Sequence, residues 1–231
     1  MKIRDQLLRK SANRDSFKLI AECYHPPRRD LIPTLEELED RMRKICTEAV
    51  PFVRAMKEQF GAIDDLDLLL IDYSRLFLGP YELLAPPYGS VYLEAGRRVM
   101  GDSTVDTQNR YREVGLDISK DFQEAPDHIV AELEFMYFLV FKEVEAISSS
   151  DVEAAVDYIG KQESFLELHL VTWVTDFVNR IEENAQTEFY KNLGRCTRTY
   201  VNHYFDDLRA LANEVTRVHG YCGKGAEGKG T

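Results

Sequence analysis

The chain has 231 residues, 44% of them hydrophobic, with 29 Lys and Arg against 40 Asp and Glu and a net charge of −11. That length holds one large or two small domains with a real core. The acidic balance disfavours nucleic acid and suits a basic partner. With no apolar run of about eighteen residues, stable membrane insertion is not expected. The opening MKIRDQLLRKSANRD lacks the apolar core of a secretory leader, so a cytoplasmic location is expected. Cys23, Cys46, Cys196 and Cys222 form no CxxC pair, which argues against a zinc ribbon or a dithiol redox site.

Taken in order, residues 2–24 predict a helix with Leu7, Leu8, Phe17, Ile20 and Tyr24 on its stripe, broken near Asn13–Asp15. His25-Pro26-Pro27 stops it. Thr34-x-x-Glu37 has the form of a capping box for a second helix through Leu35, Leu38, Met42 and Ile45. A third is expected over 51–60, before Gly61. A fourth, capped by Asp64 or Asp65, carries Leu66, Leu69, Leu70, Tyr73, Leu76 and Phe77 to Gly79-Pro80.

Pro86-Pro87 cannot be helix interior, and Val91 and Leu93 alternate with polar neighbours, so 85–96 reads as an extended loop. Ser103-x-x-Asp106 has capping-box form for a helix over 105–114. Residues 116–126 form a charged connector and the best domain boundary.

Next comes EAPDHIVAELEFMYFLVF, with Ile129, Leu133, Met136, Val140 and Val144 at helical spacing and aromatic residues on the other sides. A helix apolar nearly all round belongs inside. Pro126 suits its first turn and Asp127 its positive dipole end. A turn at 148–151 leads to a long helix to about Asn184, and a last one runs from Thr187 to about Val218. The class is all-α. The domain reading is 1–115, a 116–126 hinge, 127–218, and a flexible Gly-rich tail at 219–231. In that tail Gly223-x4-Gly228-Lys229 opens like a phosphate loop, but Gly230 stands where Ser or Thr is needed for magnesium.

Several groups carry possible chemistry. Asp127 and His128 sit where loop becomes core. They suggest an acid/base pair, a two-ligand metal face with Glu132 one turn on, or a polar pair lining a cleft. A metal site wants three or four ligands, and His25, His169, His203 and His219 supply none at a suitable spacing. Asp64, Asp65 and Asp67 read as dipole complements or an arginine-binding rim. His169, among Phe165, Trp173 and Phe177, reads as a satisfied core histidine. Tyr88 and Tyr92 on a stiff backbone suit the floor of a peptide groove.

Three segments, YSRLFLGPYELLAPPYGSVYLE, EAPDHIVAELEFM and KQESFLELHLVTWVTDF, occur in that order. Together they resemble the TorD/DmsD chaperones, related to NarJ, over roughly residues 10–215. The resemblance implies about ten helices in two subdomains, a role without catalysis, and no cofactor. It implies binding of the twin-arginine signal peptide and apo form of a molybdopterin oxidoreductase subunit, holding back export until the cofactor is in place. Carried over by position, Asp127 and His128 match the family's peptide-site pair. Tyr73, Leu76, Phe77, Tyr88, Ser90 and Tyr92 fall in the matching block, and Glu132 joins them one turn into the helix. Gly89 departs from relatives that carry an acidic residue there, and Trp173 is the sole tryptophan. The alternatives are a NarJ-like assembly factor for a subunit that is not exported, and an all-α metal-dependent hydrolase using Asp127, His128 and Glu132. The expected state is a monomer or a domain-swapped dimer hinged at 116–126.

Overall fold

Each long apolar stripe in the sequence becomes a helix, and the stripes face one another. The structure, a computed structural model, describes residues 3–79, 83–96, 99–117 and 124–222. Its helices are α1 (Ile3–Cys23), α2 (Leu31–Ile45), α3 (Val50–Gly61), α4 (Asp67–Tyr73), α5 (Ser90–Leu93), α6 (Asp102–Glu113), α7 (Ile129–Ser148), α8 (Val152–Phe165), α9 (Val171–Asn184) and α10 (Glu188–Cys222). Two π turns, Ser74–Leu78 and Leu166–Leu170, continue α4 and join α8 to α9. No strand occurs among the described residues, and none of their helices is long and apolar enough to cross a membrane. The all-α class holds.

α7 is the hub. It packs against α1 and α8, while α10 closes on α3 and α9. One hydrophobic core runs through all of them, from Phe17 and Leu38 to Trp173 and Tyr200. It draws on residues from both sides of the expected boundary, so the division at 116–126 stays a proposal; residues 118–123 of that connector lie outside the described residues. The backbone of α10 is helical to Cys222, beyond the expected end at Val218. The rest of the tail, with Gly223, Gly228 and Lys229, lies outside the described residues.

Local signals misplace several boundaries, and packing is the reason. α1 runs unbroken through Asn13–Asp15 because Tyr200 donates to the Asn13 carbonyl at 2.7 Å and Ser16 bonds back to Ala12. α2 begins one turn before Thr34, placing Pro33 in the first turn, where its missing N–H costs nothing. Ser103 donates its N–H and hydroxyl to Glu94 rather than closing a box with Asp106. The loop at 85–96 contains α5, not an alternating strand. Elsewhere the signals hold: Asp151 caps α8 by accepting from Ala154 N–H at 3.0 Å, and Gly79 ends the first π turn at φ 77°.

Candidate functional site

The mouth of α7 is a clamp between two segments far apart in sequence. α7 starts at Ile129, so Pro126 and Asp127 precede it instead of forming its first turn. His128, in extended conformation, is the N-cap: its Nδ1 accepts from Val130 N–H at 3.2 Å. An accepting Nδ1 leaves the ring proton on Nε2. Pro86-Pro87 brings an extended segment alongside. Gly89 N–H donates to Asp127 O (2.9 Å) and Ile129 N–H to Pro87 O (2.8 Å), making an isolated antiparallel bridge between Tyr88 and His128. The Asp127 side chain adds a third tie, accepting from Ser90 N–H at 2.7 Å. Tyr111 locks the approach by donating to Pro126 O at 2.8 Å.

Behind the clamp lies Trp173, fully buried. It donates to Glu132 Oε2 at 3.0 Å and stacks on Tyr92 with ring centres 5.6 Å apart. A Cβ at position 89 would stand 2.9 Å from the indole nitrogen, so the departure at Gly89 has a steric cause. Tyr92 ties back to the loop, donating to Pro86 O at 2.9 Å.

In front of the clamp is a pocket of about 250 Å³. The turn after α1 contributes Tyr24, His25 and Pro26; α4 and its π turn contribute Tyr73, Phe77 and Leu78; the clamp contributes Pro87, His128 and Ile129; and Glu124 completes the lining. Glu124 accepts from Tyr88 Oη at 2.5 Å. Burial pushes the Tyr73 phenol up to about 12, with the Glu124 charge adding to it. Burial pushes His128 down to about 4, against the opposing pull of Glu124 and Asp127, so its ring is neutral at pH 7. Burial lifts the Glu132 carboxyl well above the usual carboxylate range; the Trp173 hydrogen bond opposes this and the Asp127 charge reinforces it. Glu132 Oε1 and Asp127 Oδ1 are both buried without a hydrogen-bond partner.

The residues named from sequence therefore fall into two groups. Tyr73, Phe77 and His128 line the pocket, and Tyr88 borders it, edge-on to the His128 ring at 5.3 Å. Leu76, Ser90, Asp127 and Glu132 are buried behind it, and Tyr92 is half-buried against Trp173. Asp127 is 1% exposed and spends one oxygen on the loop; the carboxylate that reaches the pocket is Glu124. Sequence reasoning passed over Glu124, Tyr24 and His25, although His25-Pro26 was visible as a helix stop. Asp65 accepts from Asp67 N–H at 3.1 Å, but the N-cap of α4 is Leu66, which makes no side-chain cap, so neither Asp64 nor Asp65 holds the expected capping position. His169 is a satisfied core histidine, with Thr107 Oγ1 at 3.1 Å on Nδ1 and Asp106 Oδ2 at 2.6 Å on Nε2. Among the described residues, the donor atoms of Asp127, His128 and Glu132 do not gather as a metal's ligands would.

Comparison with known proteins adds the following. The sequence profile of the nitrate reductase delta subunit family matches residues 36–179. The Tat proofreading chaperone DmsD of Salmonella typhimurium is 31% identical over 126 residues, 54% of this chain and 55% of that protein. The perchlorate reductase assembly chaperone protein of Dechloromonas aromatica is 28% identical over 59% of this chain and 62% of its own. The chaperone protein TorD of Aliivibrio fischeri is 26% identical over 70% and 74%. The chain thus spans about half the length of the first of these relatives. A crystal structure of a proposed redox enzyme maturation protein from Archaeoglobus fulgidus superposes with a TM-score of 0.49 at 22% identity, covering 82% of this chain and 93% of that one.

Proposed function

The chain belongs to the nitrate reductase delta subunit family, and from that premise we propose that it is a cytoplasmic maturation chaperone for a molybdopterin oxidoreductase subunit. It binds the twin-arginine signal peptide, the apo subunit, or both, and delays export until the cofactor is inserted and the subunit has folded. It acts by binding, not by catalysis. The observation that carries this reading is that the matched stretch, 36–179, contains the α4 π turn, the Tyr88–His128 clamp and Trp173 together. Relatives that match part of this chain carry chaperone names.

The pocket suits such a peptide. A twin-arginine leader presents two guanidiniums and then an apolar stretch. Glu124 offers a carboxylate in the pocket lining, and a charge-assisted hydrogen bond there contributes ~1.5–3 kcal/mol. Phe77, Leu78 and Pro87 offer an apolar floor. The net charge of −11 steers a basic segment inward, so affinity falls with added salt. Asp127, Ser90, Glu132 and Tyr92 act from behind by holding the clamp in place.

The test is a fluorescence titration that uses the sole tryptophan, Trp173, backed by calorimetry. Leaders from candidate molybdoenzymes are compared with versions in which both arginines are changed. Micromolar or tighter binding, lost with the arginines, is the expected result. Binding that ignores the arginines moves recognition to the apolar stretch. A second reading, a NarJ-like assembly factor for a subunit that is not exported, is favoured by the family description and by the perchlorate reductase relative. It predicts that every leader fails while cofactor-free mature subunit binds.

A further inference from the structure

Outside the pocket, where α2 ends, three donor side chains converge. Cys46 closes α2 and Glu48 follows it on the 3-10 turn Thr47–Ala49, so thiol and carboxylate share one turn of backbone. His203 comes to them from α10. The three ligand atoms all lie within 4.8 Å of one another. Cys46 is 1% exposed, and His203 Nε2 is shielded from solvent without a hydrogen-bond partner. Asp207, one turn further along α10, places Oδ2 3.7 Å from that nitrogen, beyond hydrogen-bond reach, while Arg9 pairs with the same oxygen at 2.6 Å.

We propose that Cys46, Glu48 and His203 form a binding site for a divalent transition cation of the zinc type, with Asp207 or water as fourth ligand. A thiolate, an imidazole and a carboxylate are the donors a borderline-soft cation takes; magnesium and calcium prefer oxygen alone. Zinc bonds of about 2.0–2.3 Å at the tetrahedral angle set donors roughly 3.3–3.6 Å apart, a short rotation of side chains from the present spacing. Binding releases the thiol proton to solvent. The ion would fasten the α2–α3 turn to α10, joining segments far apart in the sequence. Spacing along the sequence hides the site because only the fold brings His203 to Cys46, which is why the cysteines and histidines read as scattered.

The test uses the full chain after chelator treatment. Zinc is titrated against a competing chromogenic indicator, and cobalt is added separately to report thiolate ligation by its near-ultraviolet charge-transfer band. One equivalent of zinc bound more tightly than micromolar is expected. Cys46→Ser and His203→Gln should each weaken it by about tenfold or more, equivalent to about 1.4 kcal/mol, and Cys46→Ser should abolish the cobalt band. Absence of stoichiometric zinc, or zinc affinity that survives both changes, overturns the proposal. If Cys46→Ser does not fold, His203→Gln and Glu48→Gln, at half-exposed and exposed positions, decide it by the same titration.

Discussion

The π turns at Ser74–Leu78 and Leu166–Leu170 both shift side chains out of helical register, yet one faces a pocket and the other is filled. In the second, His169 has a partner on each ring nitrogen and stacks on Phe165 at 5.0 Å. α6 supplies those partners through Thr107 and Asp106, and the turn is closed. In the first, α4 is pinned just upstream: Asp72, fully buried, accepts from Gln186 N–H, Thr187 N–H and Thr187 Oγ1 at the start of α10. Downstream of that pin, Phe77 and Leu78 face the pocket, and Leu78 is 56% exposed. A π turn is common at functional sites because it re-aims side chains. Here the neighbouring element decides whether the re-aimed residue completes the core or lines a cavity.

The contrast can be broken by experiment. The largest effect is expected from Phe165→Ala. It removes a fully buried ring beside His169, with a loss of about 3–5 kcal/mol in urea unfolding. Leader affinity of the folded variant should not move; if it falls, the two turns are coupled.

Next comes acid. The unfolded chain protonates His128 from about pH 6.5 downward, the folded one only near 4, so between those values the unfolded state binds more protons. Stability attributable to this group is complete above the window and declines as pH falls through it, by on the order of 3 kcal/mol. His128→Asn keeps an N-cap that cannot titrate, and its denaturation midpoint should change less over the same pH range.

Smaller again, Asp127→Ala strips Ser90 N–H of its acceptor, with an expected loss of ~1.5–3 kcal/mol and weaker leader binding through a loosened clamp. Wild-type affinity in a folded Asp127→Ala protein would remove Asp127 from the binding role. Smallest is Tyr88→Phe, which frees Glu124 at about 1 kcal/mol and should change leader affinity severalfold without altering His169.

The helices were legible because their stripes are long and uninterrupted, α7 above all. What escaped was set by contacts distant in sequence. Asn13 looks like a helix breaker until Tyr200 meets its carbonyl. Asp106 looks like half of a capping box until His169 and Arg110 claim it. The site shows the same division. Tyr73, Phe77, Tyr88 and His128 could be named from their segments. That Asp127 faces the loop, while Glu124 reaches the pocket, depends on how two segments pair, and periodicity carries no record of that. Gly89 stood out as a departure, and its cause, the indole of Trp173, lies on α9.

The bridge between Tyr88 and His128 also has a kinetic meaning. It closes a long loop that contains α5 and α6, and closing such a loop is entropically unfavourable until its contents have docked. The pocket wall rests on a few hydrogen bonds and is therefore expected to open more readily than the packed hub. The amides of Gly89, Ser90 and Ile129, which hold the bridge, should exchange with deuterium as one group, ahead of those in the middle of α7. A copy with the bridge open would keep its hydrophobic hub and lose its pocket wall. If the pocket takes a peptide as proposed, readiness to receive it would depend on this bridge being closed.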